Sequence, residues 1–187
     1  MARGRSGRLR IIGGEWRGRK LAFDAAPGLR PTTDRVRETL FNWLAQQLPG
    51  ARCLDLFAGS GALGLEALSR GASHVDFVDT SRRALQQISK HLGTLQASSR
   101  AGCHTHDALG YLQTAPAPYD IVFVDPPFEA GLAEPACAAL FSGGLVNADA
   151  CVYLESAVSE GDLKLPTAWA LHRDKRAGAV RYRLLLA

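Results

Sequence analysis

Long apolar runs are missing from this chain of 187 residues. None approaches the roughly 20 residues that a bilayer-spanning helix needs, so no membrane segment is expected. Paired cysteines are missing too: Cys53, Cys103, Cys137 and Cys151 lie scattered, with no CxxC. They read as small buried hydrophobes in a reducing compartment, against a disulfide frame or a zinc site. Residues 1–10 lack the apolar stretch of a secretory signal, and a soluble cytoplasmic protein is the expectation. No internal repeat is visible, and no Ser-His-Asp or Cys-His ordering suggests a nucleophilic enzyme. His104 and His106 alternate beside Asp107, but no third ligand follows at strand or helical spacing, so no metal is expected.

What is present is an ordinary globular composition, 47% hydrophobic and 21% charged, in a chain long enough for a real core. The net charge of +4 hides an asymmetry. Residues 1–37 carry ten Lys or Arg against three acids, a balance of +7, and the remainder holds 12 basic and 15 acidic residues, a balance of −3. A basic front end on a mildly acidic body favours a phosphate-rich partner. Trp16, set among Arg17, Arg19 and Lys20, adds a stacking ring to the neutralising charge and points to nucleic acid.

Residues 9–13 and 16–23 are β-prone runs around Gly13-Gly14 and read as a hairpin. Pro27-Gly28 and Arg30-Pro31 break the chain into a loop. Thr33 or Asp34 then caps a helix running to about Leu48, with Val36, Leu40, Trp43, Leu44 and Leu48 on one face. From residue 51 strand and helix alternate. Strands are expected near 52–57, 74–79, 101–106, 119–124 and 150–155, and helices at 62–70, 81–92, 107–114 and 131–140. Two further strands, 168–172 and 180–186, form a terminal hairpin turning at Ala177-Gly178. Short apolar runs between helices specify an α/β fold, an open, doubly wound, mostly parallel sheet with helices on both faces. Its ligands are expected at the carboxyl ends of the strands.

Two motifs carry chemistry. The first, Asp55-Leu56-Phe57-Ala58-Gly59-Ser60-Gly61, joins a strand to a helix through a glycine turn that lets a ligand approach the backbone. With Gly64 it also satisfies G-x-G-x-x-G, so a dinucleotide site competes. Asp79, 20 residues after Gly59, can accept from a ribose diol in either case. Asp55 separates the readings, because a carboxylate aimed into that turn repels a pyrophosphate and welcomes a cationic ammonium or sulfonium. Its plainer role is to accept from the amides of the glycine loop itself. The second motif, Asp125-Pro126-Pro127-Phe128, closes the apolar run 119–124. Two prolines remove backbone donors and leave carbonyls free to accept. Phe128 can cover the face of a base, a contact worth roughly 1 to 3 kcal/mol. A planar, NH-bearing ring suits this clamp.

Together these motifs resemble the class I S-adenosylmethionine-dependent methyltransferases that act on exocyclic amino groups. Arg10-Ile11-Ile12-Gly13-Gly14, Trp16-Arg17-Gly18-Arg19 and the stretch 30–44 extend the resemblance to the bacterial family that methylates guanine N2 in 16S ribosomal RNA of the small subunit. It covers the chain from about Arg8 to Leu186. The resemblance implies a Rossmann-like fold with S-adenosyl-L-methionine as cofactor. Asp55 and Phe57, Ala58, Gly59, Ser60 and Gly61 would hold its methionine part, Asp79 with Thr80 the ribose, and Asp107 with Ala108 the adenine. Asp125, Pro126, Pro127 and Phe128 would form the catalytic clamp, and Arg10, Trp16, Arg17, Arg19, Arg30 and Arg37 the RNA contacts. Residues 30–37 are expected to cover the pocket. Asp79 stands where many relatives carry Glu. Residues 1–29 are taken as a basic arm and hairpin, and 30–187 as the methyltransferase domain, acting as a monomer on the small ribosomal subunit, with neither DNA nor membrane as partner. The competing readings are an N6-adenine methyltransferase of DNA or RNA and a non-catalytic RNA-binding assembly factor. Glu155, ending a strand on the ligand side, reads more readily as a cap or surface pair than as a substrate contact.

Overall fold

Alternation within the apolar runs sends successive side chains to opposite faces of one sheet. In the strand Tyr119–Val124, Ile121 and Phe123 enter one buried cluster and Val122 and Val124 the other. The computed structural model describes residues 6–24 and 33–187. In chain order the elements are β1 (Ser6–Arg10), β2 (Lys20–Asp24), α1 (Asp34–Trp43), β3 (Arg52–Asp55), α2 (Ala62–Ser69), β4 (His74–Asp79) and α3 (Arg82–Thr94). They continue with β5 (Ala101–Thr105), α4 (Ala108–Thr114), β6 (Tyr119–Val124), α5 (Ala133–Ser142), β7 (Val146–Ala157), β8 (Ala170–Ala177) and β9 (Val180–Leu186).

Seven strands form one sheet in the order β5-β4-β3-β6-β7-β9-β8. The pairs from β5 through β7 are parallel, and β9 runs antiparallel to both β7 and β8. The chain order reverses between β3 and β6, and open α/β sheets bind ligands outside the strand ends at such a switch point. Helices α1, α2 and α3 bury their apolar faces on one side of the sheet, α4 and α5 on the other.

The amino-terminal hairpin shares the first of these cores: Leu9, Ile11, Trp16, Leu21 and Phe23 are all buried there. Its strands lie farther out than expected, pairing Ser6 with Asp24 and Arg10 with Lys20, and its turn falls at residues 15–18. Gly13-Gly14 is not a tight hairpin turn. Gly14 has φ +77°, and a Cβ there would lie 1.9 Å from the Ser69 carbonyl oxygen, so glycine is required by close approach to α2. The contact is anchored by Glu66, fully buried, which accepts from the backbone N–H groups of Ile12 and Gly13, each at 2.8 Å, and from Arg70 Nε at 2.7 Å. Ser69 Oγ accepts from Trp16 N at 2.9 Å and donates to Gly13 O at 2.6 Å.

Other departures are local. Thr33 caps α1 as expected, but the helix ends at Trp43, and residues 44–47 continue as turns that keep Leu44 and Leu48 buried. Strand β7 starts at Val146, four residues early, with Asp149 at φ 64° and a register irregularity absorbing the extra length. Strand β8 is longer than expected and runs to Ala177, where the chain turns through Gly178. The expected boundary at 29/30 lies outside the described residues.

Candidate active site

The carboxyl ends of the parallel strands enclose a cavity of about 1060 Å³. Asp55 ends β3 and Asp79 ends β4, Asp107 follows β5, Asp125 follows β6, and Glu155 lies near the end of β7. All five carboxylates line this one space, and no Lys or Arg is among the described lining residues.

Gly61, at φ +77°, turns the chain from β3 into α2. Asp55 is 2% exposed, and its Oδ2 accepts from Gly64 N, in the first turn of α2, at 2.9 Å. The helix terminus that would receive a pyrophosphate in a dinucleotide site is thus already served by a carboxylate. The plainer role foreseen for Asp55 is real, and it strengthens the case against a dinucleotide. Burial pushes its carboxyl up to about 7, with the Gly64 N–H opposing the shift and the Asp79 charge adding to it. A cation brought alongside would relieve both the desolvation and the repulsion.

Asp79 shapes the same loop from the next strand. Its Oδ2 accepts from Gly59 N at 2.8 Å and its Oδ1 from Ser81 N at 2.7 Å, so the glycine turn is pinned across the sheet. Asp107 caps α4 through Gly110 N at 2.8 Å and stands exposed at the rim beside His106. Phe57, Ala58, Gly59, Ser60, Thr80 and Ala108 also line the cavity, whereas Gly61 shapes the turn without lining it.

Across from this loop, Asp125, Pro126, Pro127 and Phe128 all line the cavity. Pro126 is buried, Pro127 exposed, and Asp125 and Phe128 are partly exposed, so the clamp has a solid back and an open front. Thr33 and Val36 at the start of α1 and residues 177–180 between β8 and β9 complete the wall. Of the stretch 30–37 expected to cover the pocket, Thr33 and Val36 line its wall, and residues 30–32 lie outside the described residues. The contribution of residues 177–180 has no local signature, because it depends on where the terminal hairpin docks.

Two expected RNA contacts change. Trp16 is 4% exposed, inside the core, with the Arg100 guanidinium 5.3 Å above its ring, and cannot stack on a base. Arg37 is 1% exposed and turned inward, donating to Arg10 O at 2.9 Å and Asp34 Oδ1 at 2.6 Å, with Glu66 nearby at 3.7 Å. It cannot meet a phosphate. Arg30 lies outside the described residues. Arg10, Arg17 and Arg19 are exposed, Arg10 pairing with Asp34 at 3.1 Å. Glu155 is the site residue that the sequence undersold: it is 4% exposed, lines the cavity, and accepts from the Tyr153 hydroxyl at 2.6 Å. His104 turns away from the cavity to Asp76 Oδ1, at 2.9 Å, while His106 lines it.

Strand order, switch-point cavity and acid-served helix terminus together define a Rossmann-like fold of the class I methyltransferase type. The chain belongs to the family described as Conserved hypothetical protein 95, which matches residues 9–186. It is 52% identical to the Ribosomal RNA small subunit methyltransferase D of Escherichia coli (strain K12), over 96% of this chain and 90% of that protein. The protein of the same name from Haemophilus influenzae is 44% identical, over 95% and 93% respectively. Among solved structures, the Escherichia coli protein yhhF superposes with a TM-score of 0.88 at 49% identity, covering 96% of this chain and 98% of that one.

Proposed function

We propose that this protein transfers a methyl group from S-adenosyl-L-methionine to the exocyclic N2 of a guanine in 16S ribosomal RNA of the small subunit. One observation carries the reading: a cation-accepting acidic loop and an amine-accepting clamp with an aromatic lip line a single cavity without a lysine or arginine among its described residues. Similarity to proteins named small-subunit rRNA methyltransferases supports the RNA substrate. We take it to act as a monomer in the cytoplasm, where ribosomal subunits are made.

The cofactor supplies an electrophilic methyl on a positively charged sulfur. Asp55 and the loop 57–61 would hold its methionine end, Asp79 with Thr80 its ribose, and Asp107 with Ala108 its adenine. The remaining chemistry belongs to the clamp. The lone pair of an exocyclic guanine nitrogen is delocalised into the ring, which makes it a poor nucleophile. Asp125 Oδ and the Pro126 carbonyl accept the two N2 hydrogens, returning electron density to nitrogen and fixing its direction. Positioning of this kind contributes several kcal/mol when the reacting atoms are aligned at about 3 to 3.5 Å. Phe128 covers the base. Exposed Arg10, Arg17 and Arg19 hold phosphates from the hairpin.

The test supplies the purified protein and labelled S-adenosyl-L-methionine to small subunits from cells lacking the protein, then digests the RNA to nucleosides. N2-methylguanosine at one position is the expected product. N6-methyladenosine, or cofactor binding without transfer, would install one of the competing readings instead.

A further inference from the structure

The clamp explains how an amine is held but leaves open how guanine is told from other amino-purines. Strands β6 and β7 pair in parallel with Val124 opposite Leu154, so Asp125 and Glu155 follow side by side at the carboxyl ends of adjacent strands. Neighbouring strands lie about 4.8 Å apart. The two carboxylates therefore share one wall of the cavity, which both line. Glu155 is 4% exposed, too deeply set for a solvated surface charge. Tyr153, two residues earlier on the same strand and the same face, donates its hydroxyl to Oε1 at 2.6 Å. Burial and the Glu155 charge hold that phenol well above its ordinary value, so it stays a donor and fixes the carboxylate in place.

A carboxylate pair only accepts hydrogen bonds when ionised. Guanine presents donors at adjacent positions, N1–H and the N2 amine. Adenine and 2,6-diaminopurine present an acceptor at N1, whose lone pair would face an anion. We propose that Glu155 is a specificity-determining residue of this site: it accepts the N1–H of the target guanine while Asp125 accepts from N2, and Tyr153 is the positioning residue that holds it. The inference rests on guanine-N2 transfer as the function. It adds that the enzyme reads the protonation of N1, a position it does not modify.

2,6-Diaminopurine tests the point, because it keeps the N2 amine and lacks the N1 hydrogen, and the Glu155→Gln variant separates that loss from the exchange of O6 for an amine. Small subunits are reconstituted with guanosine or 2,6-diaminopurine riboside at the methylated position, and kcat/KM is measured with the full-length protein. The wild type should prefer guanosine by at least about a hundredfold, as sites built around a substrate N–H do. Glu155→Gln, whose amide can donate to N1, should lower that ratio at least tenfold by losing rate on guanosine and gaining on the analogue, with cofactor affinity unchanged. Tyr153→Phe should lower kcat on guanosine and keep the preference. Equal wild-type rates on the two substrates would overturn the inference without any variant, as would a Glu155→Gln enzyme that retains the full ratio. Absence of transfer to any small-subunit guanine would instead remove the functional reading beneath it.

Discussion

Asp55 offers a sharp physical test because its ionisation couples folding to the cofactor site. Its ordinary carboxyl value is 3.8, and burial raises it to about 7 in the folded protein. Between those values the folded protein holds a proton that the unfolded chain has released. The stabilisation is therefore complete below about pH 4 and drains away as pH rises through 7. At about 1.4 kcal/mol per unit, the loss between pH 5 and pH 8 comes to about 2 to 3 kcal/mol. His91, held below its ordinary value of 6.5 by burial, works in the opposite direction below that value and is common to wild type and variant. Asp34 and Asp76, held low by their partners, contribute only as pH falls below about 4, outside the window. Urea unfolding of wild type and Asp55→Asn at pH 5 and pH 8, without cofactor, isolates the effect: stability of the wild type should fall relative to the variant by that amount. The cofactor reverses the balance, since its positive charge selects ionised Asp55. Relative to Asp55→Asn, wild-type affinity measured by calorimetry should weaken about tenfold from pH 8 to pH 6. Parallel pH profiles in either assay would refute the assignment of a buried, cation-facing acid at this strand end.

Removing Asp125 should separate chemistry from binding: Asp125→Ala is expected to lose more than tenfold in methyl transfer while calorimetry shows cofactor affinity held. Glu66→Ala strands Arg37 and Arg70 and unpairs two backbone donors of the hairpin. It should cost about 3 to 5 kcal/mol in urea unfolding, the range for breaking a buried ion pair from one side. Replacing Arg17 and Arg19 by Ala should reduce the salt slope of RNA binding by about one unit each without moving the melting temperature. Trp16→Phe should do the reverse, lowering stability through lost core packing and leaving the salt slope alone.

The parts of this fold that local spacing encodes were legible. The inner parallel strands β3, β4 and β6 are buried on both faces, so each shows as a short apolar run, and β4 and β6 fall where the pattern places them. Asp55 and Asp125 were legible because each stands beside residues with backbone constraints of their own, two glycines in one case and two prolines in the other. What escaped depends on partners far along the chain. Gly14 serves an approach to Ser69, Trp16 is covered by Arg100, and Arg37 is turned inward between Asp34 and Glu66. A basic stretch with an aromatic in it looks the same whether its ring faces a nucleotide or a core. Glu155 escaped for the converse reason: a single acid at a strand end carries no sign of the cavity that neighbouring strands build around it.

On the proposed function, the distribution of charge orders the encounter with RNA. The protein as a whole is positive at +4, yet its cavity is walled by Asp55, Asp79, Asp107, Asp125 and Glu155. A phosphate entering that space would meet five carboxylates and no Lys or Arg among the described lining residues, whereas a sulfonium or an amine edge would be attracted. The exposed arginines proposed to hold phosphate, Arg10, Arg17 and Arg19, stand outside, on the hairpin. A paired nucleotide cannot satisfy both demands, since its amino edge is turned into the duplex while its phosphates stay on the outside. An unpaired or flipped nucleotide can, with its base swung inward and its backbone left at the rim. Opposite charge on the two surfaces is therefore itself a selection for an accessible base, imposed before any atom of the clamp is reached.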